Sequence, residues 1–164
     1  SPMQKVGHHL QIEAIKKTGA ERDIFARSAY NRYYYGAFLD VRKMLAEFDP
    51  NWAQMPHKSI PEFLKGSITK IYKRKKSRAN RNGDFELIPK LDNGIRSAAA
   101  LASLMEKANA TRVIADYEPS EAVVFSSTQR FSLRNIEITE AHGWGAAVQI
   151  WTISIKEAWR QTNV

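Results

Sequence analysis

The positions of hydrophobic residues along the chain predict a protein built from helices. Residues 21–48 carry the clearest pattern, because apolar and aromatic residues recur there at intervals of three or four. These residues are Tyr30, Tyr34, Phe38, Val41, Leu45 and Phe48. Since this spacing places side chains on one face of a helix, the stretch predicts a long amphipathic helix whose buried tyrosines need hydrogen-bond partners.

Four further stretches predict helices. The first covers about residues 9–17, the second about 57–78, the third begins at Pro89, and Thr139 is the expected N-cap of the last. The apolar stripes of the last three are Ile60, Leu64, Ile68 and Ile71; then Leu91, Ile95, Ala98, Ala102 and Met105; then Trp144, Val148, Trp151, Ile155 and Trp159.

The segments between these helices are less regular. Residues 80–84 predict a polar loop. Residues 117–138 give no clear pattern, and the weak alternation from Phe131 to Ile138 fits a short strand, a helical turn or an ordered loop. The expected fold is therefore all-α, a single bundle of four to five helices with an irregular connection before the last helix.

The composition fits one folded domain over residues 3–164. The chain has 164 residues, 43% of them hydrophobic, and no cysteine. No apolar run approaches the roughly 20 residues of a membrane span, so we expect a cytoplasmic protein without a membrane partner. Ser1 and Pro2, ahead of Met3, are expected to remain from an expression tag, and no signal peptide follows them.

The excess of positive charge is confined to one segment. Residues 63–83 contain no acidic residue and eight basic ones, whereas the other seventeen of the 25 basic residues are balanced by 17 acidic residues. Clustered cations suit a phosphate backbone, so we predict nucleic-acid contacts. The predicted contact residues are Lys70, Lys73, Arg74, Lys75, Lys76, Arg78 and Arg81. A solvated helix end, an acidic protein partner or anionic lipid remain alternatives.

Two segments resemble a known family. The first reads Arg27-Ser-Ala-Tyr-Asn-Arg-Tyr-Tyr-Tyr-Gly-Ala-Phe-Leu-Asp-Val-Arg-Lys-Met-Leu45, and the second reads Arg112-Val-Ile-Ala-Asp-Tyr-Glu118. Both are similar to signature elements of the HEPN superfamily of small all-helical domains. The resemblance implies a homodimer in a prokaryotic stress, toxin–antitoxin or phage-defence system. It also implies RNA binding and an enzyme that cleaves RNA without metal or cofactor. A non-catalytic partner module, for example of a nucleotidyltransferase, and a nucleotide-binding helical domain are the alternatives.

The family's catalytic motif is an arginine followed, after four to six residues, by a histidine. The nearest approach here is Arg134-Asn-Ile-Glu-Ile-Thr-Glu-Ala-His142, with seven intervening residues. On a continuous helix these two side chains would be about 80° apart. The resemblance assigns His142 as general acid or base, Arg134 as phosphate clamp and Asn135 as an orienting group. In the alternative, Arg134 is a surface charge and His142 belongs to the first turn of a helix.

Other residues of the two family-like segments favour structural or stacking roles. We expect Arg27 and Asp116 to be structural, near the tyrosines of the long helix. Tyr33 and Tyr35 point away from the Tyr34 face, so they are candidates for exposed platforms on which a base stacks, or for a second helical interface.

Overall fold

The computed structural model describes residues 1–163, and helices make up most of the chain. Five helices have fourteen residues or more, and two short ones have five residues each. The α-helices are α1 (Pro2–Lys16), α2 (Gly19–Phe48), α3 (Ser59–Phe63), α4 (Thr69–Asn82), α5 (Ile88–Tyr117), α6 (Ile138–His142) and α7 (Trp144–Gln161). The predicted all-α class is thus confirmed.

The irregular connection before the last helices contains a small antiparallel sheet. Its strands are β1 (Val123–Phe125), β2 (Phe131–Leu133) and β3 (Ile136–Glu137), in the order β1-β2-β3. The sequence left a short strand open as one possibility for this stretch. Short 3-10 turns lie at Pro50–Trp52 and Phe85–Leu87.

The predicted third helix is longer than expected and contains a π-helical segment. Leu64–Ile68 connects α3 to α4, so helical structure is continuous from residue 59 to residue 82. Gly83 then ends the helix in the left-handed conformation, with φ of 76°, which glycine adopts without steric cost. The prediction of a loop from residue 80 was therefore wrong for its first three residues, because the helix ends only where a glycine allows it.

The chain divides into two compact units, Ser1–Leu39 with Lys107–Ala146, and Asp40–Glu106 with Ala147–Val164. The prediction of one domain over residues 3–164 stays a prediction. Within residues 1–163 no helix combines the length and the apolar character that crossing a membrane requires.

In the first unit, α1 packs closely against α2 at Gly7. A Cβ on Gly7 would lie 2.8 Å from the Tyr33 ring, so only glycine fits this contact. The Tyr33 hydroxyl donates to Gln11, and the Tyr30 hydroxyl donates to the carbonyl oxygen of Ile136 at 2.6 Å. Tyr30 and Tyr33 are buried, and these bonds satisfy the hydroxyls that burial removes from water.

The second unit is closed by contacts between α4, α5 and α7. The Tyr72 hydroxyl donates to the carbonyl oxygen of Ile155 at 2.7 Å, and Tyr72 is fully buried. Gly94 lies where a Cβ would come 2.3 Å from Cβ of Ala158. Next to Ala158, the Trp159 ring stacks on that of Phe48 with centroids 4.4 Å apart. Leu91, Ala98 and Ala102 of the predicted α5 stripe and Val148 and Ile155 of the predicted α7 stripe are buried.

Candidate nucleic-acid interface

Most of the basic residues between Phe63 and Gly83 lie on α4, and their positions around the helix decide which of them are exposed to solvent. At 100° per residue, five of them fall within an arc of roughly 140°. These five are exposed, and they are Lys70, Lys73, Arg74, Arg78 and Arg81. Tyr72 and Ala79 lie on the opposite side of the helix and are buried, so burial of one side directs these cations to solvent. We call these five residues the basic face.

None of the five forms an ion pair with an acidic side chain within residues 1–163. The chain between Phe63 and Gly83 supplies no acid that could neutralise them. From Lys70 to Arg81 the face extends about 16 Å along the helix axis. Because the five positive charges are not compensated locally, they create a positive potential that attracts a polyanion.

The two remaining predicted contact residues of the run differ from these five. Lys75 is only 9% exposed, so most of its side chain is withdrawn from solvent. Lys76 forms an ion pair with Asp92 at 2.8 Å. Lys65, just before α4, is likewise paired with Glu106 at 2.6 Å. These three residues could not be separated from the others by sequence, because the acidic partners of Lys65 and Lys76 lie far along the chain and the burial of Lys75 depends on packing.

Arg134 and Asn135, two of the predicted catalytic residues, form the turn between β2 and β3. Leu133 pairs with Ile136, so Arg134 and Asn135 are the two central residues of a tight hairpin. Their φ angles are positive, 45° and 64°, as a type I′ turn requires. Asparagine tolerates this conformation better than most residues, which gives Asn135 a structural reason to be here.

Arg134 is held on one side by an acidic residue. Its Nε and Nη2 atoms donate to the two carboxylate oxygens of Glu121, each at 3.4 Å. The hydrogen bond to Glu121 raises the pKa of Arg134 above its ordinary value, so the guanidinium stays charged. A phosphate at Arg134 would compete with this carboxylate.

His142 lies at the end of α6 and contacts aromatic rings. Its ring stacks on that of His8, with centroids 4.8 Å apart, and on that of Tyr33, 5.2 Å apart. Burial against these rings, followed by the charge of His8, lowers the pKa of His142 below the ordinary 6.5. The imidazole is therefore mainly neutral at pH 7. Arg134 and His142 thus have different contacts, and a shared catalytic role stays a prediction.

The prediction that Thr139 caps the last helix was wrong. Glu137 precedes α6, Thr139 lies inside it, and α7 starts separately at Trp144 after Gly143. His142 is consequently the last residue of a short helix and not part of the first turn of a long one. The break at Gly143 divides what the periodicity predicted as one element.

The family-like arginine Arg27 has a structural role. It is 9% exposed, and its guanidinium donates to carbonyl oxygens at the end of α5 and just beyond it. The acceptors are Ile114, Ala115, Glu118, Pro119 and Glu121. Asp116 accepts from Asn31 and from Arg112. Both arrangements agree with the structural role expected for Arg27 and Asp116.

Tyr33 and Tyr35, the candidates for exposed stacking platforms, pack against other residues of the protein. Tyr33 is 1% exposed, so the prediction of an exposed platform is wrong for this residue. Tyr35 is half-buried and has edge contacts with Tyr34 and Phe38. Trp144, on the predicted apolar stripe of the last helix, is also 1% exposed. Contact with a second protomer therefore finds no support from Trp144.

Comparisons of the chain with family models, with curated proteins and with solved structures found no match. The candidate site therefore depends on its own geometry. Within the described residues, no group of three or more metal-ligating side chains comes together. What the chain presents most distinctly is a helix with five uncompensated cations on its solvent side.

Proposed function

We propose that this protein binds nucleic acid, with RNA as the first candidate, through the basic face of α4. The observation that carries the proposal is the absence of acidic partners for these five exposed cations within residues 1–163. Packing of the fold does not account for this run of exposed cations, because their side chains face solvent. Binding of phosphates does account for it, since each neutralised phosphate releases counterions and so adds affinity.

The resemblance of residues 27–45 and 112–118 to HEPN domains extends the proposal. On that resemblance we propose a homodimer that acts in the cytoplasm of a prokaryote, in a stress, toxin–antitoxin or phage-defence system. The helical bundle, the structural role of Arg27 and the buried tyrosines of α2 are compatible with this relationship.

Binding is tested with labelled RNA, measured by fluorescence anisotropy at several salt concentrations. We expect affinity to fall steeply with salt, as it does when phosphate contacts dominate. The triple variant Lys73→Gln, Arg74→Gln, Arg78→Gln is expected to lose most of the binding. The control triple variant Lys5→Gln, Lys43→Gln, Arg130→Gln removes the same charge from exposed positions elsewhere.

Equal losses in the two triple variants would show that only net charge matters and would overturn the proposed interface. Absence of RNA binding by the unaltered chain at low salt would overturn the proposed function. In that case the non-catalytic partner module becomes the better description, since an interface between proteins loses little affinity when salt rises.

Metal-independent cleavage of RNA is a second candidate function. It is favoured by His142, which is exposed and mainly neutral at pH 7 and can therefore accept a proton from a ribose hydroxyl. The test is incubation of labelled RNA with the protein in EDTA, alongside His142→Ala and the control His9→Ala. Cleavage that only His142→Ala abolishes supports this function, and cleavage by His142→Ala at the normal rate refutes the role of His142.

A further inference from the structure

A groove lies at the N-terminal end of the basic face. Its volume is about 610 Å³, and it is a shallow feature that is widely open to solvent. Residues of α3, of the π-helical segment and of α4 line it, and Lys70 belongs both to this lining and to the basic face. Lys70 is therefore the point at which a strand of nucleic acid on the basic face would meet the groove. We call it the Phe63 groove.

The π-helical segment leaves space in this groove. Gly66 lies in the segment Leu64–Ile68. Among the described residues, and apart from its two chain neighbours and the backbone of its own helix, nothing lies within 4 Å of where a Cβ at Gly66 would be. Packing therefore does not require a glycine here, although glycine in a helix costs about 1 kcal/mol relative to alanine. Single π-helical turns occur frequently at functional sites. A ligand that occupies the space beside Gly66 would explain why the position is a glycine although packing does not require one.

The groove offers an aromatic surface that neighbouring rings hold in position. Phe63 lines the groove and is half-buried. The Trp52 ring meets it edge to face, with centroids 4.7 Å apart, and Trp52 in turn contacts Trp159 at 5.7 Å. A ring fixed in this way loses little side-chain freedom when a flat group stacks on it. Nucleobases stack on such rings whatever their sequence.

The polar residues of the groove match the other parts of a nucleotide. Lys58 and Lys70 are exposed cations at its border and suit phosphate. Glu62 is an exposed acid between them, without an ion-pair partner within residues 1–163. A carboxylate repels phosphate but accepts hydrogen bonds from the amino groups of a base. One acid beside an aromatic ring, with cations at the border, therefore suits a base with its phosphates to either side.

We propose that the Phe63 groove binds one unstacked nucleotide of a single-stranded RNA, with its base against Phe63 and its phosphates at Lys58 and Lys70. The inference rests on the proposed function and specifies its substrate as single-stranded. In a duplex the bases are stacked and paired, so they cannot enter the groove, and a duplex contacts the basic face alone.

The test compares single-stranded and duplex RNA of the same sequence in anisotropy titrations at one low salt concentration. The principal variant is Gly66→Leu, which fills the groove without altering charge. Because no atom lies near the added Cβ and leucine favours helix over glycine, the fold is expected to be retained. The second variant, Phe63→Leu, keeps an apolar side chain but removes the ring. Phe85→Leu is its control, since Phe85 is 63% exposed and lies outside the groove.

We expect Gly66→Leu and Phe63→Leu each to weaken single-strand binding by about tenfold, as loss of one stacked base does, and to leave duplex binding unchanged. Phe85→Leu leaves both unchanged. If neither groove variant changes single-strand binding while the basic-face triple variant abolishes it, the groove inference fails and the proposed function stands. If the unaltered chain binds neither RNA, both fail.

Discussion

The guanidinium of Arg27 donates a hydrogen bond to the carbonyl oxygen of Ile114, at 3.3 Å, across 87 positions of sequence. Ile114 lies in the last turn of α5, where carbonyl groups have no partner within the helix. Further bonds from the same guanidinium extend to carbonyl groups after the helix, and Nε is bonded to Asp23 at 2.8 Å. Arg27 thus caps α5 and fixes the chain that follows, and a positive charge suits the negative end of the helix dipole.

Replacing Arg27 by lysine is expected to destabilise the protein by about 3 kcal/mol. Lysine keeps the charge but lacks the planar set of donors, so the carbonyl oxygens at the end of α5 lose their bonds to Arg27, including the buried one of Ala115. Urea unfolding followed by circular dichroism measures the effect. Arg160→Lys is the control, because the Arg160 side chain is 68% exposed, and we expect it to change stability by less than about 0.5 kcal/mol. A matching midpoint for the two variants would contradict the capping role.

Gly94→Ala is expected to destabilise the protein although alanine is the better helix former. Helix propensity favours the substitution by about 1 kcal/mol, but the new methyl group would lie 2.3 Å from Cβ of Ala158 and 3.0 Å from the Tyr72 ring. Since Ala158 and Tyr72 are fully buried, the overlap cannot relax into solvent, and we expect a net loss of about 1 to 3 kcal/mol. The measurement is the midpoint of urea unfolding.

The double variant Gly94→Ala, Ala158→Gly tests the cause of that loss. Removing the Ala158 methyl group relieves the closest overlap, so the double variant should be more stable than the sum of the two single effects predicts. Additive effects would mean that the two positions are not in contact.

The helices were the predictable part of this fold. The stripe from Tyr30 to Leu45 predicted a helix over 21–48, and α2 covers Gly19–Phe48 with those residues buried. Long periodic segments are predicted well, because a spacing of three or four residues indicates both the helical conformation and the residues that are buried. The start of α1 at Pro2 was missed, since its first turns have few apolar residues.

Two features could not be predicted from the sequence: the small sheet, and which of the basic residues on α4 are paired with an acid. Both depend on residues that are distant along the chain. Strands of two or three residues are too short for alternation to be read, and the β2–β3 turn has arginine where a type I′ turn usually has asparagine or glycine. Likewise, Lys73 and Lys76 look equivalent in the sequence. Only the approach of Asp92 to Lys76 distinguishes them.

Lys73→Gln is expected to weaken RNA binding more than Lys76→Gln, although both remove one positive charge from the same helix. Lys73 is exposed and has no acidic partner within residues 1–163, whereas Lys76 already interacts with Asp92 at 2.8 Å. If Lys73 contacts a phosphate of a single strand, its loss should lower the slope of log affinity against log salt by roughly 0.7. Lys76→Gln should lower the slope by less. Equal slopes for the two variants would contradict a phosphate contact by Lys73.

His142 should titrate below pH 6.5, and its titration should make the fold less stable in acid. Burial against Tyr33, and then the like charge of His8, lowers its pKa in the folded protein. In the unfolded chain the ordinary value of about 6.5 applies. The unfolded chain therefore binds a proton more readily as pH falls, so stability declines from about pH 6.5 towards the lower folded pKa and is unaffected above that window.

The pKa of His142 is measured by NMR titration of its imidazole signals, with His8→Gln as the diagnostic variant and His9→Gln as the control. Removing the charge of His8 should move the pKa of His142 upwards but leave it below 6.5, because burial is the larger cause. His9→Gln should leave it where it was. A His142 that titrates at 6.5 or above in the unaltered chain would mean that its ring is not packed against Tyr33 in solution, and the acid-dependent loss of stability would then have to come from other groups.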